Sequence, residues 1–314
     1  MRFCPNRHGT FAEQADVCPD CGERLLDDRR GSEVVPGVRV ERLLGRGGMH
    51  TSVWEATRLA DGQLVALKIA DPDADLSERT RLAASASLMA GLRHPALAAV
   101  HTSGTTASGA TYVVMDLLKG RTLLQLLDQK RSLALGVAAH VAREVLSGLA
   151  VMHAHGIVHR DVKPSNIHIM PRGAGEPWEV KLLDVGVARR FTPGEVPASL
   201  DVVRGQPGQW GRVIGTPEYM APEQIVGVGA DPRSDLYALG IVLQRLLTGV
   251  HPVVGADRHA LFETHLRGTL APLEMPDGFP PPPGLALVIA RATAKQPGAR
   301  YRNANEMRAA LTAY

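Results

Sequence analysis

At 314 residues with 45% hydrophobic side chains, the chain has room for one large two-lobed domain and a small appendage, and its composition is that of a folded globular protein. Its net charge of +3 is the small remainder of 35 basic against 32 acidic residues, so neither nucleic acid nor an anionic membrane is an expected partner. No uninterrupted apolar run reaches the roughly 18 residues that span a bilayer. Met1 to Pro5 lacks the apolar core of a secretory signal, and the expected location is cytoplasmic.

The three cysteines, Cys4, Cys18 and Cys21, crowd the N-terminus in an odd number, which suits metal ligation better than a disulfide framework. Cys18-Pro19-Asp20-Cys21-Gly22 has the spacing that lets two thiolates at a tight turn grip one tetrahedral zinc ion. Cys4 and His8 offer a second pair, so the expected site is a structural zinc on Cys4, His8, Cys18 and Cys21, within a zinc-ribbon-like knuckle over residues 1–26. So short a segment cannot bury a core of its own, and a metal would supply the missing stability. The alternative is a ribbon remnant that no longer binds metal. The knuckle is also the expected docking point for a signalling partner. Residues 27–37, with the Asp27-Asp28-Arg29-Arg30 cluster and Gly31-Ser32, read as a polar linker.

Alternating apolar residues at Val38 to Leu44, Val53 to Arg58 and Leu64 to Ile69, separated by turns such as Asp61-Gly62, predict a small antiparallel sheet. Ser77 to Leu92 has helical spacing and ends at His94-Pro95, and Tyr112 to Met115 is a further strand. Beyond Gly120 long amphipathic helices follow: Ala134 to His155, Arg233 to Leu247, Gly284 to Ala294 and Ala304 to Ala313. Pro272 to Gly284 is expected to be irregular because of its prolines.

Phosphoryl transfer needs a cradle for a triphosphate, metal ligands, a cation on the phosphates and a carboxylate that orients the acceptor. Leu44-Gly45-Arg46-Gly47-Gly48-Met49 lies between two strands, where glycines can let backbone amides close over phosphates. Val65-Ala66-Leu67-Lys68 then puts a lysine on the next strand. More specific is His159-Arg160-Asp161-Val162-Lys163-Pro164-Ser165-Asn166, which brings a carboxylate, an ammonium and an amide into one loop. Asp184-Val185-Gly186 supplies a second carboxylate.

These motifs together resemble the Hanks-type, eukaryotic-like serine/threonine kinases of bacteria, from Val38 to the end of the chain. The resemblance implies an α+β bilobal fold, with a sheet-based N-lobe over 38–118 carrying one helix and a mainly helical C-lobe over 119–314. It implies ATP-dependent phosphorylation of serine or threonine on protein substrates, with Asp161 as the base, Lys163 steadying the transferring phosphate and Lys68 on the α/β-phosphates. Asn166 and Asp184 would hold Mg²⁺. Gly45, Arg46, Gly47, Gly48, Val53 and Ala66 would line the nucleotide, with Met115 behind the adenine and Asp116 to Leu118 as the hinge. Gly215-Thr216-Pro217-Glu218-Tyr219-Met220-Ala221-Pro222-Glu223 resembles the substrate-docking segment, with Thr216 touching the catalytic aspartate. Glu223 would pair with Arg300, and Asp235 would brace the catalytic loop.

Arg160 resembles the residue that receives a phosphate on the activation segment, for which Thr192 and Ser199 are the candidate phosphosites. The chain departs from the pattern where the helix glutamate that pairs with Lys68 is expected. Nine residues back from His94 stands Ser85, and the nearest upstream acid, Glu78, is displaced by about 10 Å along a helix. His50 and Val185 replace a glycine and a phenylalanine, and His168 stands where an apolar side chain would lie under the adenine. The alternative these departures raise is a weakly active or inactive scaffold that binds nucleotide and a partner protein.

Overall fold

The computed structural model describes residues 2–4, 10–12, 17–22, 26–46, 51–173, 175–183, 188–196, 200, 215–276, 278 and 280–314. It contains two compact units, Met1–Gly91 with Ala99–Leu118, and Leu92–Ala98 with Lys119–Tyr314.

In the first unit, β1 (Arg2–Phe3), β2 (Thr10–Phe11) and β3 (Leu26–Asp27) form a small antiparallel sheet in the order β2-β1-β3. The larger sheet has the order β4-β5-β6-β8-β7, built from β4 (Val38–Arg46), β5 (Thr51–Arg58), β6 (Leu64–Ala70), β7 (Val100–Thr105) and β8 (Thr111–Asp116). Period-two alternation divides it into two faces. Val40, Trp54, Ala56, Val65, Leu67 and Ile69 pack one core, in which the Trp54 indole donates to Ser52 Oγ at 2.8 Å. The other face carries Gly45, Val53 and Lys68 in one cross-strand row, with Ala66 opposite Met115 in the next. In β4 the register shifts between Leu43 and Gly45, a bulge that increases local twist near the end of the strand.

Residues 27–37 do not hang free. Gly31 N donates to Val40 O at 2.7 Å, Val40 N donates to Ser32 O at 3.0 Å, Arg29 pairs with Asp71, and Val35 is buried in the sheet core. Helix α1 (Leu76–Met89) is started by Asp75, whose carboxylate accepts from Ser77 N at 2.7 Å. It buries Leu82, Ser85, Ala86 and Met89, the i, i+3, i+4, i+7 face of one helix.

In the second unit, Leu92–Ala98 is bound to the strand that ends at Leu182, through Leu182 N to Ala96 O at 2.8 Å and Ala98 N to Leu182 O at 3.2 Å. β9 (Arg121–Thr122) leads into α2 (Leu123–Gln129), then α3 (Leu135–Ala154) and β10 (Ile157–Val158). β11 (Ile167–Met170) and β12 (Glu179–Leu182) join β9 in a sheet of order β12-β11-β9, and β13 (Arg189–Arg190) pairs with β10. Next come α4 (Pro222–Ile225), α5 (Pro232–Thr248), α6 (Arg258–Leu266), α7 (Pro283–Ala292) and α8 (Ala304–Ala310). By length and composition α3 is apolar enough to cross a membrane; in this fold it is a core helix that buries Val141, Val145, Leu149 and Met152 among other residues. α5 is apolar nearly all round because it is central, and it ends at Gly249, whose φ of 74° stops the helix in the left-handed region.

Candidate active site

The loop between β10 and β11 holds the candidate functional groups of the second unit, Asp161, Lys163 and Asn166. Its backbone is fixed from behind by Asp235 on α5, which is 1% exposed. The Asp235 carboxylate accepts from His159 N at 2.9 Å, Arg160 N at 2.8 Å and the His153 ring at 2.8 Å. Arg160 has a φ of 70°, a left-handed conformation rare for a residue with a Cβ, which turns the chain just before Asp161. His159 is wholly buried, its ring bonded to Leu183 O at 2.9 Å and to Asp161 N at 3.3 Å.

In front of this support, four side chains converge. Thr216 Oγ1 donates to Asp161 Oδ1 at 2.8 Å, Lys163 Nζ stands 2.8 Å from Asp161 Oδ2, and Lys163 Nζ donates to Thr216 Oγ1 at 2.5 Å. Asn166 Nδ2 donates to the Asp161 carbonyl at 2.8 Å and to Asp161 Oδ2 at 3.0 Å. Gly215 lets Thr216 approach: its φ is 131°, and a Cβ there would meet Met220 Cε at 2.9 Å. The segment that follows is anchored by Glu223, whose carboxylate takes two bonds from Arg300 at 2.7 and 2.8 Å in a fully buried pair.

In the first unit, Lys68 lies half-buried on β6 opposite Val53 and Val113, with Ala66 paired to Met115. Gly45 and Arg46 end β4, pairing with Val53 and Ser52. Asp116 fastens β8 to β7: its N donates to Ala99 O at 3.0 Å, and its Oδ2 accepts from Ala99 N at 3.1 Å. Leu118 closes this unit. Ser85 is fully buried, and its hydroxyl donates back to Arg81 O at 2.7 Å within α1, so it meets its own helix's needs and offers no charge. His168 is buried in β11 with its ring on Lys119 O at 3.1 Å, and burial lowers its pKa.

Gly47, Gly48, His50, Asp184, Val185, Ser199 and His8 lie outside the described residues. Cys4, Cys18 and Cys21 come together, their sulfurs all within 4.8 Å of one another and Cys4 Sγ 3.6 Å from Cys21 Sγ. Thr192 is exposed at the start of a turn, with Glu195 N bonded to Thr192 O at 3.0 Å. Sequence reasoning did not foresee His153 as the orienting partner of Asp235, nor the Tyr237 hydroxyl bonded to His265 Nδ1 at 2.8 Å. Neither pair has a local signature, since their members lie 82 and 28 residues apart.

A family model for the protein kinase domain matches residues 38–286. The chain is 34% identical over 299 residues to the serine/threonine-protein kinase pkn3 of Myxococcus xanthus, covering 91% of this chain and 51% of that protein. It is 34% identical over 298 residues to the serine/threonine-protein kinase PknA of Mycobacterium tuberculosis, covering 92% and 63%. To the serine/threonine-protein kinase PknB of Mycolicibacterium smegmatis it is 36% identical over 281 residues, covering 86% and 41%. It thus spans between 41% and 63% of the length of these relatives. On the extent of the family match and on the loop that unites Asp161, Lys163 and Asn166, the chain belongs to the protein kinase family.

Proposed function

We propose that the chain transfers the γ-phosphoryl group of ATP to serine or threonine hydroxyls of protein substrates. The observation that carries this reading is the Thr216 hydroxyl on Asp161 Oδ1 at 2.8 Å, with Lys163 bonded to both. An aliphatic hydroxyl already sits on the carboxylate in the way an acceptor hydroxyl would, beside a cation that balances charge on the transferring phosphate. Asp161 orients the acceptor oxygen and takes its hydrogen bond, Lys163 offsets the developing negative charge, and Asn166 holds the Asp161 carboxylate in place. The Asn166 amide fits a magnesium ion as well: its nitrogen is committed to Asp161, which leaves Oδ1, a hard oxygen donor, for the metal. Asn166 and Asp184 would hold Mg²⁺, which when bound neutralises charge on the phosphates. On the first unit, the sheet face of Gly45, Val53, Ala66, Lys68 and Met115 suits a nucleotide, with small and apolar side chains for a base and one ammonium for phosphates.

One observation favours the second reading, a scaffold that binds nucleotide without efficient transfer: Ser85, its hydroxyl spent on Arg81 O, stands where the resemblance implies a glutamate. Incubation with Mg²⁺ and labelled ATP decides between them. Phosphate on the chain and on a generic basic protein, lost in Asp161→Asn, is the expected result; a folded parent that binds ATP and transfers nothing favours the scaffold.

A structural zinc on Cys4, Cys18, Cys21 and His8 is the reading that best accounts for the N-terminal thiols. Tetrahedral ligands at about 2.3 Å from zinc stand roughly 3.8 Å apart. The 3.6 Å between Cys4 and Cys21 sulfurs is near that edge and far beyond a disulfide bond. The tight turn that presents Cys18 and Cys21 is closed by Gly22 N on Cys18 O at 2.8 Å.

A further inference from the structure

Residues 28–37 precede the stretch that matches the kinase family model, yet they are built into the sheet that carries Lys68. β4 is an edge strand, and this segment closes its outer side: Gly31 N donates to Val40 O at 2.7 Å, and Val40 N donates to Ser32 O at 3.0 Å. Val35, 2% exposed, packs with Val40, Trp54, Leu67 and Ile69, and Leu59 N, just past β5, donates to Gly37 O at 2.8 Å.

Arg29 extends this brace to β6. Its guanidinium pairs with Asp71, the residue that follows the strand, and the two side chains are only 13% and 20% exposed. Asp71 is the only ion-pair partner of Arg29 among the described residues, and Arg29 Nη1 is buried without a hydrogen bond, so this charge depends on one carboxylate. Asp71 also closes the turn into α1: Ala74 N donates to Asp71 O at 3.0 Å, just before the Asp75 cap. One short segment therefore grips β4, β5 and β6, the strands that present Gly45, Val53, Ala66 and Lys68.

The other end of the brace leads to the thiols. β3 ends two residues before Arg29 and pairs with β1, where Leu26 lies opposite Phe3, directly before Cys4. Each strand of the β2-β1-β3 sheet is two residues long, too short to hold itself, so its pairing depends on a cross-link among Cys4, Cys18 and Cys21.

We propose that the N-terminal cysteine cluster is coupled to nucleotide affinity through this brace, with Arg29 as the positioning residue. Zinc on the thiols fixes β3, β3 fixes the entry to Arg29, and Arg29 on Asp71 fixes the end of β6 and the start of α1. The inference rests on the zinc reading and on the nucleotide-binding half of the kinase reading. Such coupling is reciprocal: zinc raises the affinity for ATP, and ATP raises the affinity for zinc by the same factor.

The test uses the full chain loaded with zinc, a fluorescent ATP analogue with Mg²⁺, and a nitrogen-donor chelator that takes zinc and leaves magnesium. Removal of zinc from the parent should weaken analogue binding about five-fold or more, and saturating analogue should tighten zinc to the same extent. Arg29→Gln should keep its zinc, bind the analogue as weakly as the stripped parent and change by less than about two-fold on stripping, with Arg29→Lys recovering part of both. Arg39→Gln, in an exposed pair with Glu41 on the same edge strand, should behave as the parent. A parent with the same affinity with and without zinc, an Arg29→Gln variant that responds to zinc as the parent does, an equal loss in Arg39→Gln, or a parent that carries no zinc overturns the inference. A chain that binds the analogue and transfers no phosphate loses the kinase reading and leaves the coupling measurable. Should the chain bind no nucleotide, or Arg29→Gln fail to fold, hydrogen exchange on the parent decides whether the brace transmits the metal state. Its amides over 71–79 should then exchange at least about ten-fold faster after zinc removal, and unchanged protection there overturns the brace.

Discussion

Replacement of Arg300 by methionine tests the support of the segment 215–223, which ends at Glu223. All five N–H donors of this guanidinium are engaged: Nε on Ala294 O, Nη1 on Glu223 Oε1 and Arg233 O, and Nη2 on Glu223 Oε2 and Lys295 O, over distances of 2.7 to 3.1 Å. The guanidinium also lies 4.8 Å from the centre of the Tyr237 ring. Both partners of the ion pair are fully buried, so solvent neither screens the pair nor replaces a lost partner. In Arg300→Met the Glu223 carboxylate keeps one donor, Ser234 Oγ at 2.6 Å, and three carbonyls lose theirs. Breaking a buried pair from one side costs about 3–5 kcal/mol. Urea unfolding followed by far-UV circular dichroism should therefore show a midpoint lowered by about 1 M or more. Glu223→Gln with Arg300→Met should be less unstable than the sum of the single changes, because no buried charge is stranded. A single-variant shift below about 0.3 M, or strict additivity, would refute the assignment of this pair as a buried, mutually dependent support.

The pH dependence of stability should carry a contribution from His265. This ring is buried, and desolvation, with the nearby Lys295 ammonium adding to it, pushes its pKa down to about 3 from the ordinary 6.5. Between those values the unfolded chain binds the proton and the folded chain does not, so the contribution is complete above pH 6.5 and is lost as the pH falls. By pH 5 the loss is about 2 kcal/mol. His265→Gln, compared with the parent by urea unfolding at pH 7 and pH 5, should shrink the difference between the two pH values by about that amount; an unchanged difference would count against the buried neutral ring. At the N-terminus, metal release by a thiol reagent should free one zinc per chain from the parent and none from Cys18→Ser. A parent purified with zinc in the medium and carrying no metal would remove the zinc assignment.

The parts of the site legible in the sequence are those whose chemistry is local. Asp161, Lys163 and Asn166 lie within six positions of one another, so the loop that joins them needs no tertiary information to be found. Thr216 and Asp235 reach that loop from 55 and 75 residues away and were placed by family resemblance, since no spacing rule links them to it. His265 carries no motif at all: its significance lies in what packs against it. The same division holds for the fold. The strands of the main sheet follow from alternation, and α1 from its helical period and the His94-Pro95 stop. Strand β7, Val-His-Thr-Ser-Gly-Thr, lacks an apolar pattern because it lies at the sheet's edge. Helix α2 was missed although Thr122 and Gln125 form a capping box, a signal outweighed by the helix's shortness. The polar look of residues 27–37 hides contacts that no local pattern announces: Arg30 pairs with Asp28 and Arg29 with Asp71, so these charges are partly spent on one another, while Val35 fills the sheet core.

The loop that carries Asp161 is strained and supported at once, and the two facts explain its geometry. The left-handed Arg160 costs on the order of 1–3 kcal/mol, and a backbone in that state persists only where its surroundings over-determine it. Asp235 supplies that determination with two amide bonds to a buried carboxylate, each worth about 1.5–3 kcal/mol because the acceptor is charged. His153 takes a further bond to the same carboxylate, so that its charge is satisfied without solvent. All of this lies behind the loop, on α3 and α5, and leaves the Asp161 side chain free to be shaped from the front by Thr216, Lys163 and Asn166. The same helix α5 begins at Asp231 and Arg233, of which Arg233 donates to the Val196 carbonyl in the segment after β13 and offers its own carbonyl to Arg300. Loss of the Arg300 pair should therefore reach the chemistry as well as the stability, because the element it steadies is the one that sets the turn at Arg160.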